Sequence, residues 1–347
     1  MEELNFTTVT EFIILGFPVF PDLQTPFFLL FLLIYLIVLM GNLTIITLTC
    51  LDARLHTPMY FFLCNLSFID ISYTSVTLPK LLDILLRKSH RISVNGCFTQ
   101  LYFFLCLTCV EFVIISVMAY DRYAAICNPL RYTIIMNERI CVLMATGAWF
   151  FGFLEPMTHT VLVSHFSFCG SNEINHYFCD ISALLKLSCT STSTINHISY
   201  IWSIMLGLPL FISTLVSYIY VISTILRIRS AEGRHKAFST CSSHLTVVIL
   251  FYGTMLCLYV RPTSMQSLDQ NKLFALLYNV LIPLLNPMIY SLKNREVRSA
   301  LRKVFTRKSF HSKIRRTFSV FVPVKHHSSE GVQGVQFRPF VQSISYY

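Results

Sequence analysis

The stretch PFFLLFLLIYLIVLMGNLTIITLTC at residues 26–50 contains no charged side chain. As an α-helix rising about 1.5 Å per residue, it would be about 37 Å long, enough to cross the roughly 30 Å hydrocarbon layer of a bilayer. Further apolar stretches follow, and we number all of them span 1 to span 7 in chain order. Spans 2 to 7 lie at about residues 58–86, 97–127, 141–164, 197–227, 236–260 and 271–292. The sequence therefore predicts an all-α membrane protein built as a bundle of seven helices.

The composition excludes the other broad classes of protein. Hydrophobic residues make up 54% of the 347 residues and charged residues only 13%, whereas soluble domains are about one quarter charged. The chain has 30 Phe and only 11 Gly, which favours long apolar helices over the short alternating strands of an outer-membrane barrel. A soluble domain and a disordered chain are both excluded.

The net charge of +10 lies entirely in the tail, because residues 293–347 hold 12 Lys or Arg and two Glu. A basic segment directly after an apolar span is typical of contact with anionic lipid on the cytoplasmic side, so we expect membrane lipid as a partner and no nucleic acid. A helix over 294–305 would be amphipathic and would lie in the headgroup layer. The alternative is a solvated charged helix. Its predicted apolar side consists of Val297, Leu301, Val304 and Phe305.

The orientation follows from the distribution of charge. The N-terminal segment 1–25 has four acidic residues and no Lys or Arg, while seven basic residues lie between Lys293 and Lys308. An odd number of spans puts the two termini on opposite sides, and the positive-inside rule places the basic end in the cytoplasm. We therefore expect an extracellular N-terminus, with Asn5 of Asn5-Phe6-Thr7 as a glycosylation acceptor, and a cytoplasmic tail.

Four of the 12 cysteines lie on the predicted outer side, in an oxidising compartment. A zinc site is the rival interpretation, but the three later cysteines lack the close CxxC spacing of structural zinc. Disulfides are therefore favoured, and the three possible pairings stay open. The four are Cys97, Cys169, Cys179 and Cys189.

Motifs of catalysis are missing from the sequence. There is no GxSxG, no HExxH and no glycine-rich phosphate loop, so we predict that the chain is not an enzyme and carries no cofactor apart from a possible sodium ion. A channel would need rings of charge or carbonyls, and a transporter would need repeated halves with broken helices. Neither pattern is visible, so a channel and a transporter are both weak alternatives.

Polar side chains inside a membrane span are costly and mark candidate functional positions. Asn42 in span 1 and Asn286 in span 7 are adequately explained by hydrogen bonds between helices. Asp121 and Arg122 form a charge pair near the inner end of span 3. We expect this pair to face the bundle interior or the cytosol, because its desolvation in lipid would be expensive.

The two remaining carboxylates, Asp70 and Glu111, lie at matching depth. Asp70 is 12 residues into span 2 from Pro58, and Glu111 is 11 residues outward of Arg122, which places both about 17 to 18 Å from the cytosolic side. Two unpaired carboxylates in neighbouring spans would repel, so either one is protonated or a cation such as sodium lies between them. The candidate further ligands are Asn42, Ser75 and Asn286.

Several longer motifs occur in a characteristic order. They are PMYFFLCNLSFID at 58–70, MAYDRYAAICNPL at 118–130, KAFSTCSSHL at 236–245 and PLLNPMIYSLKN at 283–294. From about residue 20 to 305, the chain resembles an olfactory receptor of the rhodopsin-like (class A) G protein-coupled receptor superfamily. The resemblance implies a plasma-membrane receptor that binds a small, volatile odorant and activates a stimulatory heterotrimeric G protein to raise cAMP. A non-olfactory class A receptor for a small metabolite is the alternative.

The resemblance also implies roles for single residues. It makes Asp121, Arg122 and Tyr123 the inner ionic switch, and it places sodium at Asp70 beside Glu111. It pairs Cys97 with Cys179 and Cys169 with Cys189. Glu155 in span 4 departs from the family pattern and is a candidate for ligand choice. The residues expected to rearrange on activation are Tyr218, Asn286, Pro287 and Tyr290.

The ligand site is predicted from helical periodicity and from the resemblance together. Two sets of residues each share one helix face, Phe104, Leu105, Thr108 and Cys109 on span 3 and Tyr252, Met255, Leu256 and Tyr259 on span 6. Such faces are common in plain helix packing, but the resemblance places the ligand at this depth, in the outer half of the bundle. It adds His159, Trp202, Leu206 and Asn279. We expect an apolar cavity with a few polar tips.

Overall fold

A computed structural model describes residues 9–18, 21–168, 171–259, 268–293 and 295–306. The chain divides into two compact units, Met1–Leu301 and Arg302–Tyr347. The first contains the helix bundle, and of the second only residues 302–306 are described. Asn5, Cys169 and the tail after residue 306 lie outside the described residues, so the predictions made for them stay predictions.

The bundle is built from helices that follow the predicted spans. Spans 1 to 4 are the helices Gln24–Leu51, Pro58–Arg87, Val94–Cys127 and Glu138–Ser164. Span 5 consists of Ser193–Trp202, a π-helical turn Ser203–Gly207 and Leu208–Leu226. Span 6 is Ala231–Tyr259. Span 7 consists of Leu268–Leu276, a π-helical turn Leu277–Leu281 and Ile282–Lys293, and a separate helix Arg295–Thr306 follows it.

Length and hydropathy support the seven-helix prediction. In the described part of the chain, six helices are long and apolar enough to cross a membrane. The segments Ala231–Ser239 and Cys241–Cys257 meet at a bend of 46° and make a seventh when they are taken as one span. Large apolar side chains such as Met40, Leu143 and Met205 are at least 70% exposed. An apolar exterior of this kind is stable in hydrocarbon and costly in water.

Local sequence explains where several helices begin and end. The Ser93 hydroxyl accepts a hydrogen bond from the Gly96 amide at 3.1 Å and caps span 3, and the Asn137 side chain caps span 4 in the same way. Pro58 occupies the first turn of span 2, where its missing N–H has no partner to lose. Lys88, with φ of 55°, ends span 2 in the left-handed region.

Both π-helical turns lie just before a proline. Pro209 and Pro283 have no N–H, so the carbonyl groups four residues earlier, at Met205 and Asn279, cannot accept the usual helical hydrogen bond. The helix widens around each of these carbonyls, in Ser203–Gly207 and Leu277–Leu281. Bulges of this kind are frequent at functional sites.

A small sheet covers the outer end of the bundle and adds three short strands that the sequence did not predict. Strand β1 (Glu11–Ile14) lies between β2 (Arg91–Ser93), with which it is antiparallel, and β3 (Glu173–Ile174), with which it is parallel. Phe12 and Ile14 are fully buried in a cluster that includes Cys97. The strands are two to four residues long, too short for an alternating pattern to stand out in the sequence.

Candidate functional site

The loop between spans 4 and 5 is tied to the outer end of span 3. Cys97 and Cys179 form a disulfide, as the resemblance implied. Cys189 is also disulfide-bonded, but its expected partner Cys169 lies outside the described residues. The disulfide holds Phe178 inside the bundle, where its ring centre lies 4.6 Å from that of Phe104. The loop therefore closes over the predicted ligand site.

Span 3 contributes Phe104 and Thr108 to an aromatic group beneath this loop. The Thr108 hydroxyl lies 2.9 Å from the Tyr73 hydroxyl. The Tyr73 ring lies 5.0 Å from Phe104 and 5.3 Å from Tyr278. Leu105 and Cys109 are partly buried on the same helix. Spans 2, 3 and 7 thus meet around Tyr73.

Span 6 contributes Tyr252, whose ring packs against spans 3 and 5. The ring centre lies 5.8 Å from Phe112 and 5.2 Å from Phe211, and the Tyr252 hydroxyl lies 3.2 Å from that of Thr214. Met255 is buried as predicted. For Tyr259, the side chain lies outside the described part of the chain.

Leu256 was wrongly assigned to the ligand-facing side of span 6, since it is 48% exposed. The buried side chains of this helix include Val248, Tyr252 and Met255. At about 100° per residue, Leu256 is turned well away from the centre of that face.

Spans 4 and 5 meet at a polar chain of three residues. One ring nitrogen of His159 lies 3.1 Å from a Glu155 carboxylate oxygen, and the other lies 3.0 Å from the Ser199 hydroxyl. Trp202 and Leu206 are partly buried and lie at the π-helical turn of span 5. The unusual carboxylate therefore has a partner, and both lie beside the predicted site.

The loop residues His176 and Tyr177 connect the N-terminal segment with span 7. Gly16 has φ of +70°, a conformation that favours glycine. Its N–H donates to the His176 carbonyl at 2.9 Å, and its carbonyl accepts from the buried Lys272 ammonium at 3.1 Å. The Asn279 side-chain amide donates to the Tyr177 hydroxyl at 2.9 Å.

Burial lowers the pKa of His176 to about 4. The neighbouring Lys272 charge lowers the pKa further, while Asp180 and a backbone hydrogen bond act in the opposite direction. The ring stacks on Tyr177 at 4.8 Å and meets Phe178 edge-on at 4.5 Å. The neutral imidazole is therefore part of the aromatic packing of the loop.

The two buried carboxylates each accept a hydrogen bond from span 7. Asp70 accepts from the Asn286 amide at 3.0 and 3.2 Å, and Glu111 accepts from the Tyr278 hydroxyl at 2.7 Å. The side-chain oxygens of Asn42 and Asn286 are buried without a hydrogen-bond partner among the described residues. Oxygen atoms of this type are the ligands that hard cations prefer.

Ser75 does not share this position. It is exposed, and its hydroxyl bonds to Tyr35 and to the Ile71 carbonyl. We therefore leave Ser75 out of the candidate ligand set. No group of three or more His, Cys, Asp or Glu in the described ranges has the arrangement of a metal site. Two of the four outer cysteines, Cys97 and Cys179, are joined in a disulfide.

The inner end of span 3 holds the predicted charge pair in a buried position. Arg122 donates to Asp121 through Nε at 2.9 Å and through a second guanidinium nitrogen. The Tyr132 hydroxyl donates to the other Asp121 oxygen at 2.8 Å. Burial and the adjacent carboxylate raise the pKa of Tyr132, so it remains a donor. The pair faces the interior, as expected.

The remaining switch residues lie nearby but are not all joined. Tyr218 of span 5 hydrogen-bonds to His244 of span 6, a residue that the sequence did not single out. The Tyr290 hydroxyl is buried and has no partner in the described part of the chain. Tyr123 lies 5.8 Å, ring to ring, from Tyr220.

Pro287 lies against span 1. A Cβ atom added to Gly41 would come within 2.9 Å of the Pro287 ring, so a larger residue at Gly41 would push the two helices apart. This close approach positions Asn42 to donate to the Pro283 carbonyl at 3.2 Å. Spans 1 and 7 therefore pack closely against each other next to Asp70.

Several aromatic residues of the site were not predicted from the sequence. Tyr73, Phe112 and Phe211 lie within apolar spans, where an aromatic residue is more often plain packing. Tyr177 and Phe178 could have been found, because NHYFCD at 175–180 is an aromatic run directly beside Cys179.

Comparison with known proteins gives matches over most of the chain. The family model for olfactory receptors matches residues 31–308. Human olfactory receptor 6Y1 is 49% identical over 304 residues, which cover 87% of this chain and 93% of that protein. Mouse olfactory receptor 5G9 is 48% identical over 87% of this chain and 96% of its own length. Human olfactory receptor 12D3 is 48% identical over 88% of this chain and 97% of its own length.

Proposed function

Because the chain belongs to the olfactory receptor family of G protein-coupled receptors, we propose that it binds a small, volatile organic molecule in the outer half of its helix bundle. Binding would activate a stimulatory heterotrimeric G protein and raise cAMP. The observation that carries the proposal is that four predicted ligand-site residues contact aromatic side chains beneath the disulfide-tied loop. They are Phe104, Thr108, Tyr252 and Asn279. Proteins of this family are receptors, and the chain is not an enzyme.

The lining of this site supports an uncharged ligand. Its side chains are mostly aromatic, and its few polar groups include the hydroxyls of Thr108 and Tyr252, the amide of Asn279 and the ring of His159. Apolar pockets with a few placed polar groups bind small organic molecules and orient them through those groups. An odorant with an apolar body and one polar function fits this description.

The inner end supports coupling to a G protein. The Arg122 guanidinium is held by Asp121, and Tyr132 holds the same carboxylate from the following segment. A partner that binds Arg122 would have to replace these bonds, so the arrangement described here is the resting one in our proposal. Ligand binding at the outer end would favour the state in which Arg122 is released.

The location of the disulfide supports the orientation. Cys97–Cys179 lies at the same end as the N-terminal strand β1, and Asp121–Arg122 lies at the other end. Disulfides form in the oxidising extracellular compartment. We therefore place the N-terminus outside and the tail in the cytoplasm, in the plasma membrane.

The test is a screen of volatile compounds on cells that express the chain with a cAMP reporter. At least one compound should raise cAMP in a concentration-dependent way, without a ligand-evoked current or tracer uptake, which a channel or a transporter would produce. Thr108→Val keeps the shape but loses the hydroxyl, and it should shift potency without loss of surface expression. Thr44→Val is the control, because the Thr44 hydroxyl lies on an exposed face of span 1 and bonds to the Met40 carbonyl of the same helix.

Two results would count against this placement. Unchanged potency in variants of every ligand-site residue would exclude the site, even if the receptor signals. A response to water-soluble metabolites and to no volatile compound would favour the non-olfactory alternative.

We also propose that sodium binds near Asp70 and Glu111 and stabilises the resting packing of the bundle. The buried, unpartnered oxygens of Asn42 and Asn286 beside the Asp70 carboxylate support this, because a hard cation would satisfy them. The alternative is that one of the two carboxyl groups is permanently protonated and only hydrogen-bonded.

Agonist affinity of the purified receptor, measured in sodium and in a large organic cation, separates the two possibilities. Sodium should weaken agonist binding, and Glu111→Gln should reduce this dependence while leaving expression largely intact. Asp83→Asn is the control, since that carboxylate pairs with Lys80 near the outer end of span 2 and belongs to neither site. Equal affinity in both cations, with both carboxylates present, would support the protonated form.

The helix Arg295–Thr306 is proposed to lie on the cytoplasmic lipid surface. Val297 and Ala300 are buried, while Glu296 and Arg298 are exposed. The Tyr60 hydroxyl donates to Glu296 at 2.9 Å and fixes the start of the helix next to span 2. A peptide of residues 294–305 should become helical on anionic vesicles. A peptide that stays unstructured and unbound would favour a solvated helix.

A further inference from the structure

Asn279 of span 7 has a buried polar atom without a hydrogen-bond partner among the described residues. The side-chain oxygen of Asn279 is completely buried and accepts no hydrogen bond from the described residues. A buried acceptor left unpaired costs about 1–3 kcal/mol, so native structures rarely keep one without a use. The widened turn Leu277–Leu281 holds this side chain in place.

The neighbouring Tyr177 complements this atom. Its hydroxyl accepts from the Asn279 amide at 2.9 Å, and its own proton has no acceptor among the residues that the structure describes. The two side chains therefore present one donor and one acceptor next to each other. This remains true if the amide is turned over, because the tyrosine would then donate to the amide oxygen and leave an amide N–H free.

A hydroxyl group is the complement of such a pair, because it donates one hydrogen bond and accepts another. An aldehyde, a ketone or an ether can only accept, so it would leave the acceptor of the pair unsatisfied. Sites that pair both sides of a hydroxyl reject analogues that lack it much more strongly than apolar pockets reject a change of size.

The surroundings of the pair are mainly aromatic rings, the neutral His176 ring among them. Tyr177 stacks on Phe17 at 5.2 Å and meets Phe178 at 4.9 Å, and Phe178 packs on Phe104. An apolar carbon skeleton can pack against these rings while its polar end reaches Asn279. Tyr177 comes from the loop, so the loop and span 7 would hold the ligand between them.

We propose that Asn279 and Tyr177 together bind the hydroxyl group of an alcohol and make this receptor selective for alcohols over the corresponding carbonyl compounds and ethers. The inference rests on the proposed function and names the ligand class of the same site. A bound water molecule at Asn279 is the competing explanation of the unpaired oxygen.

The test uses the full-length receptor in cells and sets of compounds with the same carbon chain: the primary alcohol, the aldehyde, the methyl ether and the alkane. The alcohol should be about tenfold or more as potent as the aldehyde and the ether. Asn279→Leu should bring this ratio close to one, while Asn279→Asp, which keeps the acceptor, should retain the preference. Tyr200→Phe is the control, since it removes a hydroxyl from an exposed face of span 5.

The outcomes are distinct. Equal potency of alcohol, aldehyde and ether on the wild-type receptor would overturn this inference and leave the proposed function intact, as a water-filled site would predict. A preference for the alcohol that survives in Asn279→Leu would overturn it as well. If that variant does not reach the cell surface, Asn279→Ala can be used instead, because it removes the same side-chain amide and introduces a smaller side chain. A wild-type receptor that responds to other volatile compounds but to none of these sets would overturn this inference alone, and one that responds to no compound of the whole volatile screen would contradict the proposed function.

Discussion

The contact between spans 3 and 4 at Gly152 gives a sharp prediction for stability. A Cβ atom added to Gly152 would lie 2.2 Å from a methyl carbon of Val110 and 3.2 Å from the backbone at Cys106 and Val110. Valine is stiff about χ1, so its methyl group cannot turn away freely. Backbone atoms can yield only if the two helices separate.

We expect Gly152→Ala to destabilise the receptor by about 1–3 kcal/mol, the usual range for an overpacked interior. Gly147→Ala is the matched control on the same helix, because nothing lies within 4 Å of its added Cβ. That control should be neutral or stabilising by up to about 1 kcal/mol, since alanine favours a helix over glycine. The two substitutions are chemically identical and differ only in their surroundings.

The assay is thermal unfolding of the purified receptor, together with surface expression. Gly152→Ala should lower the Tm by several degrees relative to Gly147→Ala. Val110→Ala in the same chain should restore part of the loss, because it removes the methyl contact but not the backbone contacts. Equal Tm values for the two single variants would show that the helices are not packed as described here.

Three further predictions concern the loop, the inner end and the N-terminal segment. Burial of neutral His176 stabilises the fold fully above its unfolded pKa of 6.5, and this stability is lost as the pH falls towards its folded pKa of about 4. The loss is about 2 kcal/mol near pH 5. His176→Gln should therefore flatten the plot of Tm against pH. Tyr132→Phe should lower the Tm through loss of about 1–2 kcal/mol, because Asp121 loses a hydrogen bond; an unchanged Tm would show that this bond does not stabilise the resting state. Gly16→Ala should cost about 1 kcal/mol at φ of +70°, measured as reduced surface expression, although its Cβ would meet only an ordinary contact.

The seven spans and the buried charge pair were predictable because each has a strong local signal. Long apolar runs have few stable alternatives outside a membrane, and adjacent charges within one of them must face inward. The hydrogen-bond partners of the two buried carboxylates were harder to predict from the sequence. Asn286 was named as a neighbour of Asp70, but nothing local connects Glu111 with Tyr278, which lies 167 residues later in the chain.

The π-helical turns explain why helical periodicity does not predict which side chains share one face along the whole of span 5. An additional residue in a turn rotates everything after it by about 100° relative to a regular helix. Trp202 precedes such a turn and Tyr218 follows it, so no single helical wheel relates the two halves of span 5. The sheet was missed for a different reason, because its pairing joins segments far apart in the chain.

The strand order at the outer end has a consequence for biosynthesis. β1 is made first, yet it is the central strand, and Ile14 pairs with Ile174 about 160 residues later. At roughly 5–20 residues per second, the ribosome needs roughly 8–30 s to supply that partner. Both edges of β1 are unpaired until β2 is made, and one edge stays unpaired until β3 is made; unpaired edges can bind other chains. The N-terminal strand therefore lacks its parallel partner until span 4 has been synthesised, because β3 follows that span in the chain.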